Sequence, residues 1–112
     1  MKVNRPWGTY EVLLDDPLCK VKKITVNSGE NPSYQYHHKR SEHWVLTRGE
    51  AEVCLDGKVF RITAGESVYV PALTKHTIKN TSEEPIEFIE IQTGTYFGED
   101  DIVRLEDKYG RV

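Results

Sequence analysis

Residues 33–44, SYQYHHKRSEHW, gather His37, His38 and His43 with Gln35, Lys39, Arg40 and Glu42, and set them among Tyr34, Tyr36 and Trp44. Three aromatic side chains in so short a stretch mark it as partly buried, and buried polar groups need partners. One partner satisfies imidazole nitrogen, amide oxygen and carboxylate oxygen together: a divalent transition ion, which accepts two nitrogens and two oxygens. A second nitrogen is available from His76, which follows a turn at Pro71 and opens a later apolar run. Either histidine alone would read as an ordinary partly buried one. Their spacing around Gln35 and Glu42 raises the metal reading above that.

Strands must position these groups. Short runs of β-branched and aromatic residues, separated by turn residues at close and regular spacing, predict an all-β chain. The expected strands cover 9–14, 18–27, 34–39, 42–47, 50–55, 58–62, 67–70, 76–80 and 86–92, with one short helix in the tail at 99–109. Glycine-bearing breaks punctuate them, among them Asp56-Gly57, a pair that favours a two-residue hairpin. So many short antiparallel strands must close into a small barrel or jelly roll, because open edges invite pairing with other chains. Side chains alternate between the two faces of a strand. Gln35, His37 and Lys39 therefore share one face, with Tyr36 and His38 on the other, and Glu42, Trp44 and Leu46 form a second row facing inward.

The chain of 112 residues has room for one domain with one core, expected to run over 1–112 with a C-terminal tail at 98–112. A net charge of −3 provides no basic field, so nucleic acid is not an expected partner. No apolar run approaches the ~20 residues of a membrane span, and MKVNRPWG lacks a signal-peptide core, so no membrane partner and a cytoplasmic location are expected. Cys19 and Cys54 fall in separate strands without a C-x-x-C pattern, and are expected to be reduced and packed.

Two stretches carry a resemblance. Residues 29–49, GENPSYQYHHKRSEHWVLTRG, resemble the first cupin motif, G-x5-H-x-H-x4-E-x6-G, with Gln35 where many cupins have their first histidine. Residues 65–80, GESVYVPALTKHTIKN, resemble the second, G-x5-P-x-G-x2-H-x3-N, with Leu73 at the usual second glycine. The resemblance implies a cupin barrel with metal ligands Gln35, His37, Glu42 and His76. RPWGTYEVL at 5–13, RSEHWVLTRGEAEV at 40–53 and IEIQTGTYFGEDDIVRLEDKYGR at 89–111 narrow it. They look like the isomerase domain of type II phosphomannose isomerases, which implies interconversion of mannose 6-phosphate and fructose 6-phosphate. In that family the domain usually follows a mannose-1-phosphate guanylyltransferase domain, so sugar-nucleotide synthesis is expected to need another polypeptide. Many family members also carry histidine at the position of Lys39.

Moving a proton between adjacent carbons through an enediol requires a base, a stabiliser for the developing oxyanion and a cationic anchor for phosphate. A divalent ion polarises the reacting oxygens, one per chain. Zinc is preferred, and manganese, cobalt, nickel or iron also suit the donor set. Arg40 and Lys22 are the candidate anchors for the phosphate, with Lys39 in reserve; Arg40, Lys22 and Lys39 are the candidate catalytic cations, and Arg40, Lys22 and Asp100 the candidate contacts to a phosphosugar substrate. Against this, Arg40 reads as a surface ion pair and Lys22 as part of a solvated strand edge. Parity turns His38 and His43 outward, leaving Glu99, Asp100 and Asp101 as candidate proton carriers, or as charges at a helix N-terminus. Arg104 pairs with these acids or with substrate; no pattern decides between them. The competing readings are a sugar-binding or regulatory metal cupin without turnover and, more weakly, a metal dioxygenase. The apolar N-terminal segment RPWGTYEVLL is expected to make a homodimer contact, or Trp7 packs on its own barrel.

Overall fold

A computed structural model describes residues 2–106. Its strands are β1 (Lys2–Arg5), β2 (Gly8–Asp15), β3 (Cys19–Val26), β4 (Tyr34–Tyr36), β5 (Arg40–Arg48), β6 (Glu50–Leu55), β7 (Lys58–Thr63), β8 (Ser67–Val70), β9 (His76–Asn80), β10 (Ile86–Gly94) and β11 (Val103–Glu106). They form two antiparallel sheets, ordered β1-β2-β3-β10-β5-β8 and β11-β4-β9-β6-β7. This is the expected jelly roll.

The inner faces follow from alternation. On β5 the inward row is Arg40, Glu42, Trp44 and Leu46, and all four are buried. On β10 it is Ile86, Phe88, Glu90 and Gln92, and on β3 Lys22, Ile24 and Val26. Register brings Phe88 opposite Leu46, Glu90 opposite Trp44 and Gln92 opposite Glu42. On the other side of β10, Glu90 stands opposite Lys22 and Phe88 opposite Ile24. Each row therefore changes from apolar to polar toward the same end. Val26, Leu46, Val53, Ile78, Ile86 and Phe88 close the apolar end, whose burial drives the two sheets together. The polar end is a cavity.

Asp56 and Gly57 both adopt positive φ, 48° and 82°, the paired left-handed geometry of a two-residue hairpin joining β6 to β7. Cys19 and Cys54 are free and partly buried in β3 and β6. Among the described residues there is no helix, and so none long and apolar enough to cross a membrane.

Two expectations need correction. The tail helix over 99–109 is absent through residue 106, where β11 pairs with β4 instead; the remainder of that span lies outside the described residues. The strand expected to reach residue 39 ends at Tyr36. Beyond it, the carbonyls of His37 and Lys39 accept the amides of Leu73 at 2.7 Å and Thr95 at 3.0 Å. The amides of His38 and Lys39 donate to the Asp101 carboxylate at 3.2 and 2.9 Å. With the backbone satisfied outside a ladder, alternation stops. Lys39 is exposed, its ammonium 5.2 Å from the Tyr96 ring centre, and not turned into the interior with His37.

Candidate metal centre

His37 lies just past β4, Glu42 on β5 and His76 at the start of β9, so the two sheets contribute to one point. Their ligand atoms lie within 4.8 Å of one another and all three residues are buried. Glu42 is central: Oε2 is 3.7 Å from His37 Nδ1 and Oε1 is 3.8 Å from His76 Nε2. The imidazole rings stack with centres 5.2 Å apart. His76 Nδ1 donates to the Thr74 carbonyl at 2.8 Å, which fixes its tautomer and leaves the Nε2 lone pair directed at Glu42. Nε2 of His37 and Nε2 of His76 are buried without hydrogen-bond partners. Orphaned buried nitrogens are costly unless something binds them. Burial, then Arg40 and His76, push the His37 imidazole down to about 3, and burial likewise lowers His76. Both rings are neutral at pH 7, the form that ligates a cation. This donor set fits a divalent ion. Gln35 stands directly opposite His76, its side-chain oxygen accepting from the Ser33 hydroxyl at 2.7 Å.

A shell of charge surrounds the cluster. Arg40 Nε donates to Glu42 Oε2 at 2.9 Å, and Trp44 Nε1 donates to Glu42 Oε1 at 3.0 Å and Glu90 Oε1 at 3.2 Å. Gln92 Nε2 donates to Glu90 Oε2 at 2.7 Å. Burial first, then the neighbouring Glu42, push the Glu90 carboxyl up to about 7. Glu99 reaches in from the loop after β10: its oxygens accept from Lys22 Nζ at 2.9 Å and from Arg40 at 3.3 Å. Burial alone would raise its pKa, but Lys22 and Arg40 outweigh it and hold it down to about 2. For Arg40, burial opposes the charge, and Glu42, Glu90 and Glu99 overcome it. Lys22 also sits 4.3 Å from the centre of the Tyr10 ring.

Lys22, Gln35, Arg40, Glu42, His76, Glu90 and Glu99 line one open cavity, while the buried His37 is not among its lining residues. The structure thus brings Gln35, His37, Glu42, His76, Arg40 and Lys22 together. Lys39 and Asp100 are not among its lining residues; Asp100 is exposed and hydrogen-bonded to the Tyr96 hydroxyl. His38 and His43 face outward, His38 3.6 Å from Asp101 and His43 against Tyr69. Trp7 packs into the chain's own core. Glu90 and Gln92 are the interior polar residues that sequence reasoning missed. The signal was present, since both continue the alternating row of Ile86 and Phe88.

The family model described as "Mannose-6-phosphate isomerase C-terminal" matches residues 1–107. The chain is 47% identical over 111 residues to the xanthan biosynthesis protein XanB of Xanthomonas campestris, covering 99% of this chain and 24% of that protein. It is 46% identical over 112 residues to the alginate biosynthesis protein AlgA of Pseudomonas putida, covering 100% of this chain and 23% of that one. A mannose-1-phosphate guanylyltransferase of Klebsiella pneumoniae is 43% identical over 110 residues, with coverages of 98% and 23%. The chain thus spans about a quarter of the length of these relatives. Among solved structures, the cupin domain of Cnp3 from Schizosaccharomyces pombe superposes with a TM-score of 0.76 at 17% identity, covering 82% of this chain and 69% of that one. A double-stranded β-helix protein from Klebsiella pneumoniae gives 0.80 at 20% identity, with coverages of 94% and 90%. The fold is a cupin, and with a family model covering nearly its whole length, the chain belongs to the mannose-6-phosphate isomerase C-terminal family.

Proposed function

We propose that residues 1–112 act as a single metal-dependent cupin domain that interconverts mannose 6-phosphate and fructose 6-phosphate. The observation that carries this reading is the buried His37, Glu42 and His76 cluster, of which Glu42 and His76 line one open cavity together with Arg40 and Lys22. The family match to residues 1–107 supports the substrate class. His37, Glu42 and His76, with Gln35 as fourth donor, would hold one divalent ion, zinc by preference. When bound, such an ion polarises the substrate's carbonyl and hydroxyl oxygens without redox change.

The remaining work belongs to side chains. Arg40, held by Glu42 and Glu99, offers a fixed guanidinium to the oxygen that gains charge as the enediol forms, with Lys22 as the second cation. His38 and His43 lie on the outside, so the proton exchanged between C1 and C2 moves on a group inside the cavity, whose carboxylates include Glu42, Glu90 and Glu99. Trp44, Phe88 and Ile24 form the apolar floor against which the sugar's carbons lie. The enzyme is proposed to work in the cytoplasm as a homodimer. Support for pairing comes from the edge position of β1 and from Leu13, Leu14 and Leu18, exposed to 53%, 48% and 80%.

The test is a coupled assay on metal-loaded protein with mannose 6-phosphate, with and without chelator. Turnover that chelation abolishes and metal restores is expected. Arg40→Ala should lower it by orders of magnitude and Arg40→Lys should recover little, because the planar fork is lost. Absence of turnover by the metal-loaded protein would refute the isomerase reading and leave a sugar-binding metal cupin.

A further inference from the structure

Arg104 lines the same cavity, and its Nε is buried without a hydrogen-bond partner among the described residues. Its direction follows from strand register. Residues directly opposed in an antiparallel ladder project to the same face; Arg104 on β11 opposes Gln35 on β4, and Gln35 opposes His76 on β9. The guanidinium therefore stands on the face that carries His76, two strands away from it.

The cavity's two deeply buried cations are already engaged. Arg40 donates to Glu42 and Glu99, and Lys22 donates to Glu99. Arg40 is bonded to the central ligand carboxylate, which places it at the reacting end, where C1 and C2 of a sugar would lie. A phosphate on O6 sits at the opposite end of the carbon chain and requires a cation set back from the ligand cluster. Arg104 stands opposite Gln35 and two strands from His76, with a buried donor that has no hydrogen-bond partner among the described residues. Arg5, exposed at the mouth with its guanidinium 5.2 Å from the Tyr10 ring centre, adds positive charge on the approach.

We propose that Arg104 binds the phosphate group of the substrate and thereby sets the requirement for a phosphorylated sugar. The proposal rests on the isomerase reading of the site. A phosphate oxygen would satisfy the orphaned Nε–H, and the planar guanidinium matches phosphate in a bidentate way. It also accounts for the pairing of β11 with the ligand-bearing β4, since that pairing carries Arg104 to the cavity.

The experiment titrates inorganic phosphate and mannose 6-phosphate into metal-loaded wild type, Arg104→Ala and Arg104→Lys by calorimetry, alongside initial rates. Arg104→Ala should weaken both affinities roughly 10- to 100-fold and raise KM by a similar factor, exceeding any fall in kcat, with metal content unchanged. Arg104→Lys should recover part of the affinity. Wild-type phosphate affinity and KM in Arg104→Ala would overturn the proposal. A wild type that binds phosphate through Arg104 yet never isomerises mannose 6-phosphate would uphold the anion site while removing the isomerase reading. Should Arg104→Ala fail to fold, as thermal unfolding would reveal, Arg104→Lys and Arg104→Gln decide the matter by the same affinities.

Discussion

Leu73 donates its amide to the His37 carbonyl across 2.7 Å while its own backbone is held at φ 69°. The turn that anchors the loop carrying His37 thus places a leucine in the left-handed region, which costs an ordinary residue roughly 1–2 kcal/mol. Its side chain is 60% exposed, so little packing offsets that cost. Leu73→Gly should relieve it, less the ~0.5–1 kcal/mol of extra chain entropy glycine brings. The expected net gain is between about 0 and roughly 1.5 kcal/mol, a rise of up to several degrees in the unfolding midpoint for a domain of this size. Calorimetry of the two proteins at equal metal content checks this; a lower midpoint in the variant would refute it.

Removing a ligand should remove the metal. His37→Ala and His76→Ala should each lose the bound ion on dialysis, and Glu42→Gln should lose it less completely because an oxygen donor remains. Chelation should lower the unfolding midpoint of wild type but not of the alanine variants, since an ion bound only by the native state stabilises it by RT ln(1 + [L]/Kd). Stoichiometric metal retained by both alanine variants would disprove the ligand assignment.

Trp44 Nε1 lies between two carboxylates, at 3.0 Å from Glu42 and 3.2 Å from Glu90. Trp44→Phe keeps most of the ring against Phe88 but deletes the shared donor. Metal affinity should fall about 10- to 100-fold, as when other partners that orient ligands are lost. Competition with a fluorescent chelator measures it, and unaltered affinity would show that the indole N–H has no part in placing Glu42.

Glu99 sets an acid limit. Its carboxyl, ordinarily near 4.5, is held down to about 2 by Lys22 and Arg40 after burial has opposed them. A depressed carboxylate contributes stability that is fully present above its unfolded value and is lost as pH falls from there through the folded value. Wild type should therefore lose part of its stability between pH about 4.5 and 2, and Glu99→Gln should lose less over that window. The side chain is 41% exposed, so screening keeps the difference modest. Urea titrations at pH 7, 4 and 2.5 read it, and parallel pH slopes would exclude the contribution.

What the sequence disclosed depended on how local the deciding contacts are. The row from Glu42 to Leu46 and the strands at 50–55, 67–70 and 76–80 follow from alternation, and Asp56-Gly57 from turn chemistry, whereas Arg40, read as a turn residue, extends the buried row by one position. Leu73 stands at the usual second glycine of its motif, and the structure finds it at φ 69°, a conformation that the motif comparison alone does not give. Alternation failed at Lys39 because Leu73, Thr95 and Asp101 take up the backbone groups of residues 37–39 from distant parts of the chain. The acids at 99–101 resemble a helix start, yet Asp101 binds two amides of that same loop and Glu99 reaches Lys22 and Arg40. Nothing within the tail's own sequence encodes partners 59 to 77 residues away.

The position of β10, inserted between β3 and β5 in the larger sheet, gives the site a history. His37, Glu42 and His76 all precede β10 in the chain, so the candidate ligands are synthesised before the strand that joins β3 to β5. A nascent chain ending short of Ile86 carries every imidazole of the cluster but lacks Glu90, Glu99 and Arg104, and its β3 and β5 have no common neighbour. Closing that gap requires contacts distant in sequence, which are slow to form. An ion present at that stage would meet Glu42 on a larger sheet still open between β3 and β5, while His76 belongs to the smaller sheet, which does not contain β10.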